Sequence, residues 1–194
     1  YAYINGEIDN KKMKAFVDDL IQNYGTEAIP AIMDRIKEFG FRYATVSGIT
    51  WGIDDIMVPP SKYEVIEKAN GKNADIEEQY ASGLLSYNEK KIKNIEVWTG
   101  AKEEVEKILQ AALNKQGSVY DMVRSGARGS MGQLTQMAGM KGLIVNTKGE
   151  TIDFPVISSN KEGLTPIEYF ITTHGSRKGL TDTALNTAKA GYLT

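Results

Sequence analysis

Two neighbouring stretches of this 194-residue chain each place a single apolar stripe at helical spacing. Ile66, Ala69, Asn73, Ile76, Tyr80 and Gly83 step by three and four residues in alternation, and so do Ile95, Trp98, Lys102, Val105, Leu109 and Ala112. That alternation is the seam of two helices lying side by side, and the short interval between them makes the pair antiparallel. Residues 83–88 would hold the turn. Each arm, about 24 residues long at 1.5 Å per residue, would reach roughly 36 Å, either projecting free or packed into a larger body. Asn73 and Lys102 put polar side chains into the seam. Hydrophobic residues at 41% and charged residues at 25% fit a folded globular chain rather than a disordered one. The length allows one domain or two small ones.

The residue inventory removes several kinds of chemistry. There is no cysteine, so disulfides, thiolate metal sites and cysteine nucleophiles are excluded. One histidine cannot build a multi-histidine metal centre. A net charge of −2 is neither a polybasic nor an acidic tail. No apolar run approaches the roughly 18–20 residues that span a bilayer, and residues 1–9 carry no secretory pattern, so a cytosolic chain with no membrane partner is expected. The missing initial Met and the helical pattern still running at Thr194 lead us to expect a piece of a longer chain.

Met13, Phe16, Val17, Leu20 and Ile21 predict a helix over residues 10–24. Gly25 would end it and Thr26 would cap a second helix over 28–39, which Gly40 would stop, giving an antiparallel pair. Residues 41–58, apolar but broken by Gly and Ser, read as loop with short extended pieces. Pro59 and Pro60 would open the hairpin's first arm. Residues 119–123 read as a helical turn and 130–137 as a short helix capped by Ser130. Leu143-Ile144-Val145 and Thr151-Ile152-Asp153-Phe154 flank a turn at Asn146-Thr147-Lys148-Gly149, a β-hairpin pattern. From Pro166, placed at a first helical turn, a helix would run to Thr194. Gly175, Gly179 and Gly191 each cost it about 1 kcal/mol against Ala, and its threonines add β-branched strain. Such a helix needs support from surrounding protein and can bend at its glycines. The fold expected is mainly α with minor β: a helical hairpin of antiparallel coiled-coil type, a small α+β segment and a long C-terminal helix.

Charge is unevenly placed. Residues 61–115 carry nine Lys against ten acidic residues, whereas 117–149 carry four basic residues against Asp121 alone and hold seven of the 19 glycines. Within that basic part lies Ser125-Gly126-Ala127-Arg128-Gly129-Ser130. Glycines let a backbone approach phosphate closely, a following helix start offers free N–H groups, and Arg128 adds a forked cation. The motif lacks the Gly-Lys-Ser/Thr of a Walker loop, and a Gly-rich turn with a solvated arginine is the simpler explanation of it taken alone. His174-Gly175-Ser176-Arg177-Lys178-Gly179 is a second cluster. On a helix His174 shares a face with Lys178, and Arg177 with Thr181. Arg177 and Lys178 could meet a nucleic-acid backbone or be solvated, and a lone histidine is commonly structural. Asp54-Asp55 sits in an apolar loop, where a carboxylate would cap the next helix or tie the turn. No set of three converging oxygens suggests a metal site.

Ser125-Gly-Ala-Arg-Gly-Ser130 with Gln136-Met-Ala-Gly-Met-Lys-Gly-Leu143 resembles the largest (β′) subunit of bacterial RNA polymerase. Asn160-Lys-Glu-Gly-Leu-Thr165, Tyr169-Phe-Ile-Thr-Thr-His-Gly-Ser-Arg-Lys-Gly-Leu-Thr-Asp-Thr-Ala-Leu185 and Thr187-Ala-Lys-Ala-Gly-Tyr-Leu-Thr194 resemble it too. So do Phe41-Arg-Tyr-Ala-Thr45 and Gly52-Ile-Asp-Asp-Ile-Met-Val-Pro59. The resemblance covers essentially the whole chain and is weakest over residues 1–25 and 85–117.

The resemblance implies four parts. Residues 1–58 would be a helical pair with a connecting loop. Residues 59–116 would be the paired helices on the rim of the secondary channel, through which nucleotides come in and where regulators dock. Residues 117–164 would be the Gly-rich loop and β-hairpin supporting the active centre. Residues 165–194 would be the bridge helix, cut short, whose bending is linked to translocation. It further implies that Arg128 reaches the incoming nucleoside triphosphate. Arg177, Lys178, Thr187 and Ala188 would face nucleic acid or the active centre, and His174, Gly175 and Gly179 would form a hinge. Asn186, where Lys or Arg is usual, loses a charge contact, and Ser176 replaces the usual Ala. The implied partners are the β, α, ω and σ components of the polymerase, template DNA and the RNA–DNA hybrid, nucleoside triphosphates and secondary-channel regulators. The family's Mg²⁺ is held by an Asn-Ala-Asp-Phe-Asp-Gly-Asp motif. Asn73-Ala74-Asp75 runs into Ile76-Glu77-Glu78 and is not that motif, so no cofactor and no catalytic residue are expected in this chain. It is expected to be inactive alone while serving a nucleotidyltransferase. A stand-alone helical module that binds protein partners, and a phosphate-binding enzyme built on the Arg128 loop, are the competing readings.

Overall fold

The computed structural model describes residues 3–194. The chain forms two compact units. One ends at Asp55 and takes in Asn114–Ser130; the other comprises Ile56–Leu113 and Met131–Thr194.

In the first unit, α1 (Asn10–Ser47) starts at an Asp9 cap whose side chain accepts the Lys12 N–H at 2.7 Å. Gly25 breaks it, with φ 71 and ψ 170, as the sequence predicts. Gly40 does not stop it, and residues 41–47 are helix rather than loop. A helix interior accepts Gly at about 1 kcal/mol, whereas a helix end is marked by a left-handed residue. Gly48, at φ 60, supplies that residue and ends α1. The aspartate pair ties a turn: Asp55 Oδ2 accepts the Gly52 N–H at 2.7 Å across a 3-10 turn, Ile53–Asp55. Residues of the second unit intervene before α4 (Ser118–Arg124), which belongs to this first unit.

The second unit holds the hairpin. α2 (Lys62–Ala81) follows the turn at Pro59 and Pro60, and α3 (Tyr87–Ala112) starts with a reciprocal cap between Ser86 and Glu89. Seam residues Ile66, Ala69, Ile76, Trp98, Val105 and Leu109 are buried, as their spacing requires. The arms do not stand free along their length. Met140 joins Val65, Ala69, Trp98, Ala101 and Val105 in one core, with Leu143 and Ile157 against it. A third layer buries more of the pair's apolar surface than a free-standing pair would, and here residues 140–157 supply that layer.

α5 (Met131–Leu134) runs on into a π-helical turn, Thr135–Gly139. A Cβ at Gly139 would lie 2.9 Å from Val105 Cγ1, so only glycine lets this turn approach α3 so closely. The expected β-hairpin reduces to two antiparallel bridges, Gly142 with Val156 and Val145 with Thr151. Asn146 Oδ1 closes its turn by accepting the N–H groups of Lys148 and Glu150 at 2.9 and 3.0 Å. Ile144 and Val156 then pack on Ile171 of α6 (Pro166–Leu193). The architecture is mainly α with very little strand. α6 runs unbroken past Gly175 and Gly179, and only Glu168, Ile171 and Thr172 of its residues are buried.

Candidate functional site

α4 ends in the Gly-rich loop. The Arg128 N–H donates to the Met122 carbonyl at 3.3 Å, and the Ser125 hydroxyl donates to the same carbonyl at 3.2 Å. Gly126 (φ 73) and Gly129 (φ 84) take left-handed conformations that other residues rarely adopt. The chain therefore folds back on the end of α4, and the Arg128 side chain stands exposed. Gly126 lies beside the start of α1: a Cβ there would be 3.8 Å from Asn10 Cβ. An exposed guanidinium on a glycine loop can meet a phosphate bidentately.

The remaining predicted residues lie on α6, in the second unit, so Arg128 and the α6 group belong to different compact units. His174 is half-buried and meets the Phe170 ring edge-on, with centroids 5.6 Å apart. Gly175 is a close approach: a Cβ would sit 3.0 Å from Ile144 Cγ2. Nothing lies within 4 Å of the corresponding point at Gly179. Lys178 pairs with Asp182 at 2.9 Å, one turn on, while Arg177 is exposed. Thr187 and Ala188 are exposed, and the Thr187 hydroxyl donates to the Thr183 carbonyl at 2.7 Å. From residue 179 onward every side chain of α6 is exposed, including Leu180, Leu185 and Tyr192.

Two carboxylates that the sequence reading did not single out fix the root of this helix. Glu168 accepts five hydrogen bonds: Oε1 from the N–H groups of Ile157 and Ser158, Oε2 from the Ser158 hydroxyl and from the N–H and hydroxyl of Thr165, all at 2.8–2.9 Å. Burial pushes its pKa up, but the donors of Ser158 and Thr165 outweigh burial and hold it at about 2. Glu162 is arranged in the same way. It pairs with the fully buried ammonium of Lys62 and accepts from Tyr63 Oη at 2.7 Å and from the Ser159 N–H and hydroxyl. Burial again raises its pKa, and Lys62, Tyr63 and Ser159 together lower it to about 2. The same bond raises the pKa of Tyr63. Lys161 Nζ reaches the Ile56 carbonyl at 2.5 Å. The base of α2 and the start of α6 are thus fastened to one loop. Thr165-x-x-Glu168 is a readable capping box. Lys62 and Glu162 are 100 residues apart, and nothing local marks them as partners.

Residues 65–174 match the family described as RNA polymerase Rpb1, domain 4. Residues 2–56 match domain 3 of the same protein, and residues 163–194 match domain 5. The chain belongs to the RNA polymerase Rpb1 family. It is 46% identical over all 194 residues to the DNA-directed RNA polymerase subunit beta' of Kineococcus radiotolerans, and 46% identical over 194 residues to that of Rubrobacter xylanophilus. It is 46% identical over 193 residues to that of Moorella thermoacetica. It spans 15% of the length of the first two relatives and 17% of the third. The Rpb1 resemblance carried by the Gly-rich loop and the α6 blocks therefore holds along the whole chain. Within this family segment α6 makes up most of the domain 5 match, and the α2–α3 hairpin falls in domain 4.

Proposed function

We propose that this chain acts as part of a DNA-directed RNA polymerase, supplying surfaces that admit and position nucleoside triphosphates and that move with the template. In this reading the α2–α3 hairpin forms the rim of the channel by which nucleotides come in, and regulators dock on it. Arg128 contacts the triphosphate of the incoming nucleotide. α6 spans the main cleft, with Thr187 and Ala188 toward the active centre, Arg177 and Lys178 toward nucleic acid, and His174, Gly175 and Gly179 as its hinge. The β, α, ω and σ components, the template and the RNA–DNA hybrid are its partners.

The observation that carries the reading is the asymmetry of α6. Its root is capped and clamped by Glu168, with Glu168, Ile171 and Thr172 buried, whereas from residue 179 every side chain, apolar and polar alike, faces solvent. A helix with several glycines and threonines gains too little from propensity to be kept this bare for its own sake. An anchored root and a bare shaft suit a helix that other subunits and nucleic acid enclose.

The parent enzyme's Mg²⁺ belongs elsewhere. In this reading the chain's part is positioning rather than bond-making. The test is Arg128→Ala in the assembled polymerase. Loss of one charge-assisted phosphate contact should raise KM for nucleotides about tenfold with promoter binding unchanged. An unchanged KM would remove Arg128 from the nucleotide site. Measurable template-directed incorporation by the purified 194-residue chain would overturn the positioning role.

A further inference from the structure

On the flank of the hairpin a pocket of about 390 Å³ lies between α2, α3 and the stretch from Asp153 to Ile157. Asn73 of α2 and Asn94 of α3 both line it, and the side-chain oxygen of each is buried with no hydrogen-bond partner. Asn94 is only 5% exposed. Buried acceptors are almost always paired, so two orphaned ones lining the same pocket mark a place built to receive donors.

The surrounding groups select which donors. Glu77, Asp153 and Lys90 carry the charge at the pocket. Lys90 Nζ is already engaged by Glu77 at 2.7 Å and lies 4.7 Å from the centre of the Tyr80 ring; Asp153 also attracts it. Two carboxylates against one committed ammonium leave the pocket negative, which disfavours phosphate and other anions. Trp98, Phe154 and Pro155 give it flat apolar walls. The site therefore asks for a flat cation rich in donors and without acceptors.

We propose that this pocket binds a guanidinium group. Guanidinium presents five N–H donors in one plane, has no acceptor to leave unsatisfied, is weakly hydrated and lies well against aromatic faces. An ammonium is compact and strongly hydrated, and it costs more to strip of water against the apolar walls. The group could arrive on a small free guanidine or on an arginine of a protein partner that lies along the hairpin. This interaction is separate from the nucleotide and nucleic-acid contacts proposed above and does not depend on them.

The experiment is a titration of the 194-residue chain, its asparagine side-chain amides labelled with ¹⁵N, with N-acetyl-arginine amide and, separately, N-acetyl-lysine amide. Saturable shifts of the Asn73 and Asn94 amides are expected with the arginine probe, at least about tenfold tighter than with the lysine probe. A Gly-Gly-Arg-Gly-Gly peptide distinguishes the sources. Binding at least about tenfold tighter than the amide points to a protein partner, and equal binding points to a small guanidine. The double variant Asn73→Val, Asn94→Val removes both acceptors, so it should melt no lower than the parent chain while the side-chain amide of Asn70, which also lines the pocket and remains as the reporter, no longer responds to the arginine probe. Absence of saturable shifts, equal response to both probes, or unchanged binding in the folded double variant each overturns the proposal.

Discussion

Replacing Glu168 with glutamine should release the root of α6. The carboxylate accepts five hydrogen bonds and donates none. An amide of the same shape sets an NH₂ group against N–H or hydroxyl donors at one of its two termini. The folded pKa lies at about 2 against an ordinary 4.5. At about 1.4 kcal/mol per pH unit this bounds the charge-dependent stabilisation near 3.5 kcal/mol, and partial water access trims it to about 2 kcal/mol. Because the folded pKa is depressed, the contribution is complete above pH 4.5 and disappears as pH falls toward about 2. Urea unfolding at pH 7 should show Glu168→Gln less stable by about 2–3 kcal/mol, with amide exchange at Ile157 and Ser158 accelerated. The gap between parent and variant should shrink by more than half at pH 3. A gap under about 0.5 kcal/mol at pH 7, or one that does not change with pH, would refute the clamp.

Other substitutions probe the same skeleton. Lys62→Met should cost about 3 kcal/mol in urea unfolding, since it strands Glu162 beside Tyr63 and Ser159, and adding Glu162→Gln should recover part of the loss. Gly179→Ala meets open space and should stabilise the chain by about 0.5–1 kcal/mol in thermal melts. Gly175→Ala meets Ile144 at 3.0 Å and should gain less or lose. Gly139→Ala places a methyl 2.9 Å from Val105 and should lower stability by about 1–3 kcal/mol by the same measurement.

What the residues disclose in advance follows the range of the forces involved. The hairpin was legible because burying a stripe demands a repeat, and Ile66, Ala69, Trp98, Val105 and Leu109 keep it. Gly25 is the break its position predicts, but Gly40 is not one: a glycine can sit within a helix, and its φ, not its identity, decides. The reach of the arms was not legible, because the layer over them comes from Met140, Leu143 and Ile157, forty residues or more from Trp98. Asn73 looked like a flaw in the seam; its meaning needs Asn94 and the stretch from Asp153 to Ile157, which only the fold brings beside it. At the candidate site, Arg128 and the α6 residues stood out through glycine context. Lys62 and Glu162 read as two more charges on a charged chain, and nothing in their neighbours foretold a buried pair.

A segment exchange tests most directly whether this chain serves within a DNA-directed RNA polymerase. The 194 residues would replace the matching stretch of the Moorella thermoacetica beta' subunit, to which they are 46% identical. The assembled enzyme would be assayed for RNA extension on a DNA template. We expect extension to persist, with KM for nucleotides rising when Arg128→Ala is added. Assembly of an enzyme that binds template but extends nothing, or extension indifferent to Arg128, would contradict the account.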